Sequence, residues 1–178
     1  MAMATTMTES ELIQCCLKND RMAQRRLYER YSNAMYTIAF RMAGEHDLAA
    51  DILQEAFVKV FRSLAKFRQE STLGAWIKTI VVRTALSKLK KQPKFDELPE
   101  YENPQQIDWG DFLEADYLEK AIKMLPDGYR TVFVLIEIEG YSHKEVAHLL
   151  GVSVGTSKSQ LFYAKKKLRT IITKLLDV

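Results

Sequence analysis

The sequence predicts an all-α chain: two small helical bundles joined by a flexible acidic linker, the second bundle carrying a helix-turn-helix. Three observations predict it. Apolar residues recur at steps of three and four through most of the chain. Residues 92–111 break that pattern with Pro93, Pro99 and Pro104, several acids and little periodicity. No stretch alternates apolar and polar residues strongly enough to read as a strand. The boundaries that follow are a first domain over 1–91, a linker over 92–111 and a second domain over 112–178.

Each helix has a start or stop signal. Thr8 and Glu11 have capping-box spacing before a short helix. A longer helix follows Asp20, with Gln24, Leu27, Tyr28, Tyr31, Met35, Ile38, Ala39 and Met42 on one side, and Gly44 stops it. Asp47 is expected to cap the next, which carries Ala49, Ile52, Leu53, Ala56, Phe57, Val60, Phe61 and Leu64 inward. Ser71 is expected to cap a fourth, with Leu73, Trp76, Ile77, Ile80, Val81 and Thr84 toward the core. After the linker the pattern resumes with Phe112, Leu113, Tyr117, Leu118, Ala121, Ile122 and Leu125. Pro126-Asp127-Gly128 reads as a turn. Tyr129, Val132, Phe133 and Ile136 belong to the following helix, closed by Gly140.

Residues 140–169 read as the helix-turn-helix. Ser142 and Glu145 form a second capping box, Val146, Leu149 and Leu150 supply a buried stripe, Gly151 turns the chain, and Ser153 caps the last helix. In that helix Val154, Leu161, Ala164, Leu168, Ile171, Ile172 and Leu175 are expected to face the core. Thr156, Lys158, Ser159, Gln160, Tyr163, Lys165, Lys166 and Lys167 are left outside. Gln and Ser can read base edges and Lys can meet phosphate or guanine, so DNA is the first partner to consider. A solvated basic helix is the plainer reading of the same face.

Composition narrows the class. Apolar content is 47%, enough for real cores. Net charge is only +3, which predicts weak affinity for DNA when the chain acts alone. Cys15 and Cys16 are neighbours and no Cys-x-x-Cys occurs, so a reduced, cytoplasmic chain is the simplest reading. No signal peptide is evident, and the apolar runs near Val132–Ile136 and Ile80–Val82 are too short for membrane insertion. His46, His143 and His148 have no metal-ligand spacing and read as surface or helix-packing residues, so neither metal nor cofactor is expected. Gly151 with Gly155-Thr156-Ser157-Lys158-Ser159 lacks the Gly-Lys-Ser/Thr run of a phosphate loop. No nucleophile with base and orienter can be assembled, so catalysis is not expected.

Two further groupings stand out. Asp51, Gln54, Glu55, Val58, Lys59 and Arg62 form a stripe opposite the core of their helix. Such a stripe is ordinary solvent-facing surface, or a docking face whose charges set register. The segment from Lys66 to Trp76 mixes cations, aromatics and small polar groups around a helix start. It can hold an unpaired base by stacking, or Phe67 and Trp76 can simply fill the core.

At this point two blocks resemble the sigma-70 family of bacterial transcription initiation factors, in its extracytoplasmic-function group. One is Asp51-Ile52-Leu53-Gln54-Glu55-Ala56-Phe57-Val58-Lys59-Val60-Phe61, followed by Phe67 and Gly74-Ala75-Trp76-Ile77. The other is Leu125-Pro126-Asp127-Gly128-Tyr129-Arg130, followed by the helix-turn-helix with Gly155-Thr156 and Lys158-Ser159. The resemblance implies that Asp51, Gln54, Glu55, Val58, Lys59 and Arg62 dock on core RNA polymerase. It implies that Lys66, Phe67, Arg68, Gln69, Ser71, Thr72, Trp76, Lys78, Arg83 and Lys88 hold the opened −10 element. It also implies that Ser153, Thr156, Lys158, Ser159, Gln160, Tyr163, Lys166 and Lys167 meet the duplex −35 element. Arginines are common along this helix in the group. Lys158, Gln160 and Tyr163 stand here instead, so the base preference does not carry over. An anti-sigma factor is a further partner that the resemblance implies.

The linker bears on this geometry. Promoter elements one and a half to two turns apart lie roughly 50–70 Å from each other. Roughly twenty residues reach ~66–72 Å when extended but average ~25 Å as a coil. Polymerase must hold the linker stretched, or the domains must supply some of the span. Asp96, Glu97, Glu100 and Glu102 would suit a basic channel. The alternative is an autonomous helix-turn-helix regulator, which would shift duplex DNA without polymerase. A pure interaction module would not need the basic helix.

Overall fold

The computed structural model describes residues 7–90 and 115–176, all in helices, turns and short connections, with no strand among them. The linker acids, Phe112 and Leu113 lie outside the described residues. The chain falls into two compact units, Met1–Phe40 with Asp47–Ala85, and Arg41–His46 with Leu86–Val178.

In the first unit, α1 (Glu9–Leu17) starts at the expected capping box, where Thr8 and Glu11 satisfy each other's backbone donors. α2 (Arg21–Ala43) starts where the Asp20 carboxylate accepts the Met22 and Ala23 amides. α3 (His46–Ser63) begins one residue before Asp47. Asp47 therefore sits inside the first turn, where its charge meets the positive end of the helix, and is not the cap. Its apolar stripe Ala49, Ile52, Leu53, Ala56, Phe57 and Val60 is buried as the period demands. A 3₁₀ turn (Leu64–Lys66) follows. α4 (Leu73–Leu89) is capped by Thr72, whose hydroxyl accepts the Ala75 amide at 3.2 Å; Ser71, the expected cap, stands one residue too early. Tyr31 ties three helices together. Its hydroxyl donates to Glu9 at 2.7 Å, and its ring lies where a Cβ on Gly74 would come within 3.2 Å. Burial, then the bond to Glu9, pushes the Tyr31 phenol up to about 12.

The second unit is built on α5 (Ala115–Lys123), α6 (Asp127–Phe133), α7 (His143–Leu150) and α8 (Val154–Leu176). Pro126-Asp127-Gly128 is not a free turn. Pro126 precedes α6 and Asp127 and Gly128 form its first turn, where a fixed proline φ and a missing amide cost nothing. α6 then widens into a π turn (Val134–Ile138) that the helical pattern did not announce, and Gly140 ends it at φ +75°. Arg130 is 5% exposed and organises the interior. Its guanidinium donates to the carbonyls of Met42, Ala43, Lys123 and Leu125 and pairs with Asp127. These carbonyls lie at or near the C-terminal ends of α2 and α5, where intrahelical donors run out. The bonds explain why corner 41–46 groups with this unit. Arg41 also pairs with Glu119 there.

Candidate nucleic-acid and polymerase interfaces

The helix-turn-helix closes as its local chemistry dictates. Ser142 and Glu145 form the capping box, Gly151 ends α7 at φ +71°, and Ser153 accepts the Thr156 amide at 2.9 Å. Hydrogen bonding from the Ser142 hydroxyl, then from its amide, holds the Glu145 carboxyl below the usual range. Ser153 is thus committed to capping, and Thr156 bonds it through its own hydroxyl.

The outer face of α8 differs from expectation at three positions. Val154 is 38% exposed, because as the first helical residue it precedes the packed stripe. Ser159 and Gln160 are 4% and 5% exposed, so neither offers its side chain to a groove in this conformation. Ser159 bonds back to the Gly155 carbonyl at 3.0 Å. Gln160 flanks the Leu161–Ala164–Leu168 stripe, and its Oε1 finds no donor among the described residues. Lys158, Lys166 and Lys167 are exposed, and Tyr163 is half-buried beside Tyr129 and Phe162. Lys165 is held by Glu137 at 2.8 Å.

In the first unit, Asp51, Gln54, Val58, Lys59 and Arg62 are exposed and Glu55 is half-buried, all on one face of α3. Lys59 is doubly engaged, with Glu55 at 2.7 Å and the buried Thr84 hydroxyl at 3.2 Å. Beside this stripe runs an apolar groove of about 650 Å³ lined by Tyr28, Tyr36, Ala50, Leu53, Gln54, Phe57, Val58 and Phe61. The sequence reading missed it by placing Tyr28 inward. Tyr28 is 40% exposed and rests edge-on against Phe57, with ring centres 4.7 Å apart.

A second pocket, about 300 Å³, is lined by Lys66, Phe67, Arg68, Glu70, Ser71 and Trp76. The rings of Phe67 and Trp76 lie 5.2 Å apart, and both side chains are half-buried, so they pack on each other while leaving surface for a ligand. Gln69, between them in sequence, holds φ +58° without being glycine, a conformation that costs energy and concentrates at functional loops. Thr72 belongs to the cap of α4. Lys78 is half-buried and Arg83 exposed on α4, outside the pocket lining. Lys88 belongs to the second unit. Among the described residues no group of His, Cys, Asp and Glu could hold a metal ion, and no helix is long and apolar enough to cross a membrane.

Comparison with known proteins matches two stretches of the chain to family models. Residues 27–95 match sigma-70 region 2 and residues 115–168 match sigma-70 region 4. The chain is 30% identical over 192 residues to the ECF RNA polymerase sigma-E factor of Haemophilus influenzae, covering 98% of this chain and 100% of that one. It is 32% identical over 158 residues to the ECF RNA polymerase sigma factor SigE of Mycolicibacterium smegmatis, covering 83% of this chain but 61% of SigE. In three dimensions it is similar to the sigma factor RpoE of Bartonella quintana, solved with the anti-sigma factor NepR. The TM-score is 0.56 at 25% identity, over 84% of this chain and 96% of that one.

Proposed function

The chain belongs to the extracytoplasmic-function group of the sigma-70 family, and from that premise we propose that it directs core RNA polymerase to promoters by holding two DNA elements in different states. It is an initiation factor rather than a catalyst. The observation that carries the reading is the pairing, in one chain, of a pocket walled by Phe67 and Trp76 beside Lys66 and Arg68 with a helix-turn-helix. A duplex-only regulator has no use for the pocket.

Each surface then has a task. The α3 stripe of Asp51, Gln54, Glu55, Val58, Lys59 and Arg62 docks on polymerase, with the groove beside Tyr28 excluding water next to the charges. The pocket of Phe67 and Trp76 stacks an unpaired base of the −10 element while Lys66 and Arg68 meet its backbone. Lys158, Tyr163, Lys166 and Lys167 engage the −35 duplex, with Lys158 nearest the groove. Ser159 and Gln160 contribute to base reading only after α8 is uncovered at those positions. Such work belongs in the cytoplasm. An anti-sigma factor is a further partner, as it is for the Bartonella protein.

The test is run-off transcription with purified core polymerase on a genomic fragment library, comparing the chain with an Asp51→Lys, Glu55→Lys variant. The wild-type chain yields transcripts sharing an upstream and a downstream motif, and the variant competes poorly for core. A chain that never associates with core, or that shifts duplex promoter DNA tightly without it, refutes the assignment.

A further inference from the structure

His143 opens α7, directly after the Ser142 cap, and Ser157 lies in the first turns of α8. The two are fourteen residues apart in sequence, yet the His143 Nδ1 is 3.0 Å from the Ser157 hydroxyl. Ser157 is fully buried and stands in the stripe that Leu161, Ala164 and Leu168 continue. A hydroxyl in that position must be satisfied, and among the described residues its side-chain partner is His143. Val146, Ala147 and Leu150 of α7 are buried as well. A hydrogen bond adds a directional constraint to that burial.

We propose that His143 is a positioning residue for promoter recognition: its bond to Ser157 sets the attitude of the recognition helix and with it the reach of the adjacent Lys158. This rests on the reading that the second unit engages the duplex upstream element. Which partner donates depends on the protonation state of the ring. A neutral ring with its proton on Nε2 accepts the Ser157 O–H at Nδ1. A protonated ring must donate there instead, leaving the buried hydroxyl proton to find another acceptor. The surroundings favour the neutral ring. Burial and the Lys158 ammonium lower its affinity for a proton, Glu137 of the π turn opposes them, and Lys165 of α8 adds to the lowering. The folded pKa is therefore below the ordinary histidine value. The ordered arrangement is present at neutral pH and is lost as pH falls through that lowered value.

The experiment uses holoenzyme, the full chain with core polymerase, on a promoter with its upstream element intact or scrambled. The readout is the affinity ratio between the two DNAs from pH 7.5 down to the lowest pH at which core binding persists. The wild-type ratio is expected to shrink as pH falls. His143→Leu lowers it about tenfold at pH 7.5, the scale of one lost buried hydrogen bond, and makes it independent of pH. His143→Asn, which still offers an acceptor, keeps most of the ratio at pH 7.5 but not its pH dependence. Adding Ser157→Val to His143→Leu removes both partners and should recover stability but not the ratio, which stays low and independent of pH because no directional bond then fixes α8. Circular dichroism and core binding check folding. If His143→Leu does not fold, the Asn variant and the double variant carry the test. A Ser157→Val variant whose ratio and pH profile match wild type overturns the proposal alone. A wild-type holoenzyme indifferent to the upstream sequence overturns the functional reading as well.

Discussion

Replacing Arg130 by Met should be the most damaging single change in the second unit outside its apolar core. Arg130 is 5% exposed and donates to four main-chain carbonyls at 2.8–3.2 Å, besides pairing with Asp127. Methionine fills much of the space but donates nothing. Each buried acceptor left unpaired costs ~1–3 kcal/mol, although water entry and the removal of a buried charge offset part of the sum. Removing one member of a buried charged network costs ~3–5 kcal/mol, and we expect a loss in that range. For a unit of this size each kcal/mol moves the midpoint by ~4–8 °C, so the shift should be at least ~12 °C. Calorimetry of the full chain is the assay, following the transition of the second unit. Arg130→Lys should fall between, since an ammonium cannot span carbonyls on different helix ends. Gly44→Ala reports on the same contact from the other side. A Cβ there would lie 2.8 Å from the Arg130 guanidinium carbon, at a φ of +76°. A shift of only a few degrees for Arg130→Met would refute the claim that these carbonyls depend on Arg130.

Other outcomes follow from the same structure. Gln160→Met should leave stability unchanged or raise it by ~1 kcal/mol, because the buried Oε1 finds no donor among the described residues; a large loss on melting would mean the amide is satisfied after all. Gly151→Ala should cost ~1–2 kcal/mol through left-handed strain alone, since nothing lies within 4 Å of its Cβ, and Gly151→Asn should cost less by urea titration. Tyr31 should be the phenol still protonated when ordinary tyrosines have titrated, ionising at about 12, and Glu9→Gln should bring its ultraviolet transition down. The raised value favours the folded state below pH 10 and withdraws that contribution as pH rises through 12, so Tyr31→Phe should flatten the alkaline loss of stability.

Local rules carried the reading furthest where a residue's partner lies within four positions. Both capping boxes, Thr8 with Glu11 and Ser142 with Glu145, could be named from spacing, as could the breaks at Gly44, Gly140 and Gly151. Errors at Asp47 and Ser71 are displacements of two residues and one, since several nearby side chains can cap and the packed stripe chooses among them. Pro126-Asp127-Gly128 misled because the same residues open a helix as readily as they turn a chain. Exposed Val58, Lys158, Lys166 and Lys167 were legible from helical spacing alone.

Composition, period and caps determined an all-helical chain, its helix-turn-helix, and which faces would be polar. Those are consequences of bonds and sterics among near neighbours. Tertiary structure alone decided that Ser159 and Gln160 are covered, that Arg130 serves the ends of two helices, that Tyr28 borders a groove and that His143 meets Ser157. Each depends on where distant segments come to rest. Burial and the direction of a long-range hydrogen bond are properties of packed helices, which no window of a few residues contains.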